Sequence, residues 1–215
     1  MNYSPSSRGP HISNEGCNWP HTAGRAGWPK MRQRCASSSC TQRTPAGLPD
    51  PDLASDMLDL ITAKTGQHGL QRYEVSAYAQ AGHRCQHNTN YWQFGDYLGV
   101  GAGAHSKLSF PNRVLRQVRW REPAAYMAQA TKVSNEHEVA RKDLPFEFMM
   151  NALRLREGFE VALFEERTGL PIVAAERGLN AAESKGLLVR DARRISATET
   201  GRRFLNDLLQ LFLPR

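Results

Sequence analysis

The sequence predicts an α/β fold, with strands and helices mixed in its first part and a mainly helical unit closing the chain. Three observations carry this. Tyr73-Glu74-Val75-Ser76-Ala77-Tyr78 alternates large or branched residues with polar ones, as a strand does. Tyr97 to His105 is an apolar, glycine-rich run that suits a buried strand and the turn leaving it. From Asp143 onward the apolar residues recur at helical spacing instead.

Taken in order, residues 1–47 stand apart. They hold no Leu, Val or Phe, and six basic residues face one acid, Glu15. A segment so poor in aliphatic residues cannot bury enough surface to offset chain entropy, so disorder is expected there. This segment also carries +5 of the chain's net +7, which leaves the remaining 168 residues close to neutral. The overall basicity is therefore a weak argument for an anionic partner. Cys17, Cys35 and Cys40 fall in the same stretch. The four residues between Cys35 and Cys40 do not match zinc-ligand spacing, even with His11 or His21 nearby. No hydrophobic signal core opens the chain and no run is long enough to span a bilayer, so a soluble, cytoplasmic protein is expected.

Pro49-Asp50-Pro51-Asp52 marks a helix start, and Leu53, Met57, Leu60 and Ile61 continue at helical spacing to about Lys64. After the 73–78 strand and the glycine-rich run, Arg113 to Trp120 reads as a further strand and Pro123 to Ala130 as a short helix. A helix, a strand and a second buried strand fit the closing segment of an α/β structure over residues 48–135. Residues 143–215 form the other unit. Phe146, Met149, Met150 and Leu153 share one face of a helix that Gly158 ends, and helices over Glu160–Thr168 and Ile172–Lys185 follow. Leu187 to Val189 and Arg194 to Ser196 pair as a hairpin. Thr198 caps a last helix bearing Phe204, Leu205, Leu208, Leu209 and Phe212. Helix, helix, hairpin and helix describe a winged-helix module.

Two stretches carry chemistry. His87-Asn88-Thr89-Asn90-Tyr91-Trp92 places a histidine on a loop ahead of two large aromatics, the parts of a haem site: an imidazole for the iron and flat rings for the macrocycle. Taken alone, the same residues also suit a surface histidine and a buried aromatic pair. Gly99, Gly101, Ala102 and Gly103 touch on a dinucleotide fingerprint, but His105 to Phe110 does not open a helix. Either the small residues let backbone approach a ligand, or they pack tightly inside the fold. Arg190, Arg193, Arg194, Arg202 and Arg203 cluster at the presumed wing and raise the alternative of a winged-helix nucleic-acid binder. Glu176, Glu183 and Asp191 offset them, so no nucleic acid is expected.

Several motifs in one order make the chain resemble a known family. Tyr73 to Ala79, then Gly82-His83-x-Cys85-x-His87-Asn88-x-Asn90-Tyr91-Trp92, then Gly95-Asp96-Tyr97-Leu98-Gly99-Val100-Gly101-Ala102-Gly103-Ala104-His105 resemble the HemW family, radical SAM relatives of oxygen-independent coproporphyrinogen III oxidase. Pro145 to Leu155, Gly186-Leu187-Leu188 and Thr198-x-x-Gly201-x-x-Phe204-Leu205-Asn206 continue the likeness. It implies the last part of a partial radical SAM (β/α) barrel followed by a HemN-type, winged-helix-like domain. It also implies a haem-binding chaperone, with haem or a porphyrin as cargo and haem-accepting proteins as partners. The alternative is an oxidase-like enzyme of porphyrin biosynthesis. His87, Asn88, Tyr91 and Trp92 become the haem-binding residues, with His87 as ligand to the iron. The glycines at 99, 101 and 103 with Ala102 become the cofactor-binding ones. The intact family uses S-adenosylmethionine and a [4Fe-4S] cluster held by Cys-x3-Cys-x2-Cys. That motif does not occur in this sequence, so a truncated form, inactive as an enzyme on its own, is expected.

Overall fold

The computed structural model describes residues 48–214. The expectation of disorder over 1–47 lies outside the described residues, as do Cys17, Cys35 and Cys40.

Helix α1 (Pro51–Gln67) starts where Asp50 accepts a hydrogen bond from the Leu53 amide at 2.8 Å, with Pro51 in the first turn. It buries none of its residues, and Leu53, Met57, Leu60 and Ile61 stay about half exposed. The expected strand over Tyr73–Tyr78 is instead a tight hairpin tip. β1 (Gln71–Arg72) and β2 (Tyr78–Ala79) pair antiparallel, and between them the Tyr73 amide donates to the Ala77 carbonyl. Tyr73 and Glu74 are both buried although they are adjacent, which a half-buried strand does not permit.

Helix α2 (Gln86–Trp92) corrects the loop assigned to His87. The glycine-rich run is corrected too. Tyr97 pairs with Lys107, but 98–104 is a loop, with Leu98 64% and Val100 81% exposed. Gly101 and Gly103 adopt positive φ there, which breaks an extended run. β3 begins only at His105 (His105–Phe110) and turns through Pro111-Asn112 into β4 (Arg113–Arg119). Helix α3 (Pro123–Ala128) leads to β5 (Val133–Glu138), which lies antiparallel to β4. The strand over 113–120 and the short helix stand where the sequence placed them; β3 and β5 were not foreseen.

The remainder is α4 (Leu144–Ala152), β6 (Phe159–Glu160), α5 (Val161–Thr168), a 3-10 turn (Ile172–Ala175), α6 (Glu176–Ser184), β7 (Leu188–Arg190) and β8 (Arg194–Ala197), then α7 (Glu199–Arg203) and α8 (Leu205–Gln210). Strands β6, β8 and β7 form one antiparallel sheet in that order, so the expected hairpin gains a third strand. Thr198 caps α7 by accepting from the Gly201 amide at 3.0 Å. The single closing helix of the sequence reading breaks at Phe204. That break turns Phe204 outward, while Leu208, Leu209 and Phe212 stay buried.

The fold is mixed α/β. Among the described residues every strand pair is antiparallel, and no closed barrel is formed. The core is centred on Phe148, which is fully buried and meets Phe94, Phe159 and Phe164 edge-on at 4.9–5.7 Å between ring centres. Phe94 and Val114 come into this core from the first part of the chain.

Candidate functional site

Helix α2 arranges the His-Asn-x-x-Tyr-Trp motif into two pairs. Residues four apart lie on one helix face, so His87 sits beside Tyr91 and Asn88 beside Trp92. The His87 and Tyr91 rings meet edge-on at 4.7 Å, and His87 is exposed. Tyr91 is half-buried against Tyr97, at 4.3 Å, and this burial raises its phenol pKa. The second pair turns inward. The Arg154 guanidinium lies 5.0 Å from the centre of the Trp92 ring. The indole Nε1 is buried with no hydrogen-bond partner. A third face, Gln86, Thr89, Asn90 and Gln93, lines an open polar groove of about 690 Å³ that also meets Arg72 and Arg84.

The helix ends in an unusual turn. Phe94 takes a positive φ of 55°, rare for an aromatic residue, and the Gly95 amide donates to the Asn90 carbonyl. A Cβ on Gly95 would overlap Asn90, so only glycine fits here. Lys107, 1% exposed, reaches across from β3 and donates to the Phe94 carbonyl and Asp96 at 2.9 Å each and to Ser109 at 2.8 Å. Burial lowers the Lys107 pKa, partly opposed by Asp96. Burial pushes Asp96 up, but hydrogen bonds from Ser109 and the Lys107 ammonium outweigh it and hold the carboxyl below its ordinary value.

The glycine loop is committed within the chain. A Cβ on Gly99 would overlap the His105 backbone, so that glycine serves close packing against β3. The amides of Gly99, Gly101 and Gly103 donate to Ser106, Tyr126 and Trp120 respectively. Three of the four residues expected to bind a cofactor thus have their amides hydrogen-bonded within the chain.

Four of the five wing arginines are also engaged. Arg190 pairs with Glu176 and Glu183, Arg194 with Glu160, Arg202 with Glu199 and Arg203 with Asp59. Cys85 is the one cysteine among the described residues, and no three potential metal ligands converge there. That donor set does not fit an iron–sulfur cluster.

Residues 139–204 match the HemN C-terminal domain. The protein named Heme chaperone HemW from Escherichia coli strain K12 is 43% identical over 79% of this chain, and that from Haemophilus influenzae is 41% identical over the same share. The chain is similar to these HemW proteins over a stretch that includes a HemN C-terminal domain. It spans 45% and 44% of those two HemW proteins. The radical S-adenosyl methionine domain-containing protein 1 of Bos taurus mitochondria is 30% identical over 78% of the chain. The solved structure of the radical SAM enzyme coproporphyrinogen III oxidase (HemN) from Escherichia coli superposes with a TM-score of 0.56, covering 79% of this chain and 43% of that one at 17% identity. This last likeness concerns the fold. No helix among the described residues is long and apolar enough to cross a membrane.

Lys107 and its acceptors escaped sequence reasoning. A lysine between a serine and a leucine gives no clear sign of burial, and its partner Asp96 lies eleven residues away.

Proposed function

We propose that this chain binds haem on the His87–Tyr91 face of α2 and takes part in passing it to haem-accepting proteins. One observation carries the reading: His87 is exposed beside an aromatic ring and has no hydrogen-bond partner among the described residues, so its imidazole is available to iron. Relatives of 41–43% identity named Heme chaperone HemW support it. In this reading Tyr91 flanks the cargo, while Asn88 and Trp92 seat the helix instead of touching the macrocycle. Haem would bring an iron that an imidazole can ligate; the chain would supply His87 as that ligand with the Tyr91 ring beside it. The oxidase-like alternative needs three convergent thiolates, and the described residues offer one.

Titration with ferric haem tests the proposal. His87→Ala should change the absorption spectrum of the bound haem and weaken affinity by no more than about tenfold, because apolar contact supplies most of the binding. His83 and His105 are the nearby competitors, both exposed. A spectrum unchanged in His87→Ala but altered in His105→Ala would move the ligand to β3.

A further inference from the structure

We infer that Lys107 is a positioning residue that sets the pose of the His87–Trp92 helix from beneath. The inference rests on the haem-binding reading for its purpose, though its geometry stands apart from it.

An ammonium group has three protons, and Lys107 spends all three on acceptors at hydrogen-bonding distance: the Phe94 carbonyl, Asp96 and Ser109. Two of these belong to the segment that leaves α2. The Phe94 carbonyl lies on the residue with positive φ that stops the helix, and the ammonium also stands 4.1 Å from the Phe94 ring centre. One side chain therefore holds the carbonyl, ring and following carboxylate of the turn. The Lys107 backbone does the same for the next residue. It exchanges two 3.0 Å hydrogen bonds with Tyr97, whose ring supports Tyr91. The Arg116 guanidinium donates to the Tyr97 hydroxyl at 2.9 Å and to Glu147 on α4 at 2.6 Å. The pose of the His87–Tyr91 face is thus transmitted through Tyr97 and Phe94 to β3, with Lys107 as the common fastening.

Burying an ammonium is costly, and here burial lowers its pKa. A methionine of similar length would fill the space at lower electrostatic cost if only packing were needed. Lys107→Met in the full chain separates the two roles. Hydrogen exchange should accelerate roughly tenfold at the amides of Thr89–Phe94, the scale of a lost charged hydrogen bond, while Phe148–Leu153 keeps its protection. With ferric haem, the spectrum of the bound form should broaden or shift although His87 is intact. Ser109→Ala, which removes one acceptor, should reproduce the exchange change in weaker form, and it serves if Lys107→Met does not fold. Equal loss of protection in α2 and α4 would make Lys107 a general structural residue. Unchanged exchange in α2 in both variants would equally overturn the inference. Should the parent chain fail to bind haem, the reading of function falls, while the exchange result still decides whether Lys107 fixes the helix.

Discussion

Residues 48–138 and 139–214 are held together by different means. In the second region, aromatic and aliphatic side chains from α4, α5, α6, α8 and the β6–β8 sheet close around Phe148. In the first, Leu53, Met57, Leu60 and Ile61 of α1 and Leu98 and Val100 of the glycine loop face outward. The candidate site is fixed instead by hydrogen bonds and single aromatic contacts: Lys107 under the Phe94 turn, Tyr97 against Tyr91, Arg154 over Trp92. A region with few buried apolar residues has low local stability and is fixed in shape by directional polar contacts, whose loss loosens it without unfolding the remainder. Apolar packing does the converse: its loss is felt globally.

The largest effect should come from Phe148→Ala. The ring is fully buried and touches three other aromatics, so truncation should cost about 3–5 kcal/mol. Leu60→Ala, on the exposed face of α1, should stay within about 0.5 kcal/mol. Chemical denaturation of both variants checks the contrast. A comparable loss at Leu60 would show that α1 has a covered face in solution and would break the comparison.

Much of the second region was legible because its signals are local. Thr198 caps a helix, Leu187–Ser196 pairs as a hairpin, and Phe146 to Leu153 repeats at helical spacing; each appears in the structure. Where the sequence reading failed, tertiary contacts decided. Val133-Ser-Asn-Glu-His-Glu has one apolar residue and forms β5 only because β4 offers its edge. His87 to Asn90 has no apolar period, so the sequence predicts a loop where α2 stands. The four motif residues were named from the sequence, but their division between an outward and an inward face follows from the helix.

A middle-sized effect is expected at Gly158, the turn that joins α4 to β6. It holds φ at +69°, and an added Cβ would overlap the Ile195 carbonyl oxygen and Ser196. Backbone cannot move aside as a flexible side chain can, so Gly158→Ala should cost about 1–3 kcal/mol, as strained left-handed positions do. A melting temperature within a degree of the parent would show that β6 and β8 can separate, and that the second region is less rigidly packed than its core suggests.

An effect smaller than that at Gly158 sharpens the comparison most, because it concerns a tie between the regions. Arg84, just before α2, donates to Glu157 at 2.8 Å, and both side chains are nearly half exposed. The Arg84 hydrogen bond, partly opposed by burial, holds the Glu157 carboxyl below its ordinary value. A carboxylate with a depressed folded-state pKa stabilises the fold above its unfolded value, about 4.3, and loses that contribution as pH falls through the folded one. Solvent screening limits such a pair to about 1 kcal/mol or less. Glu157→Gln should therefore lower stability by at most that amount at pH 7. The gap from the parent should narrow steadily below about pH 4.3 and shrink in high salt. The Phe94–Phe148 contact persists in this variant, so unfolding should remain a single transition. A loss well above 1 kcal/mol, or separate transitions for the two regions, would mean that the polar tie and not the shared aromatic contact couples the α2 region to the core.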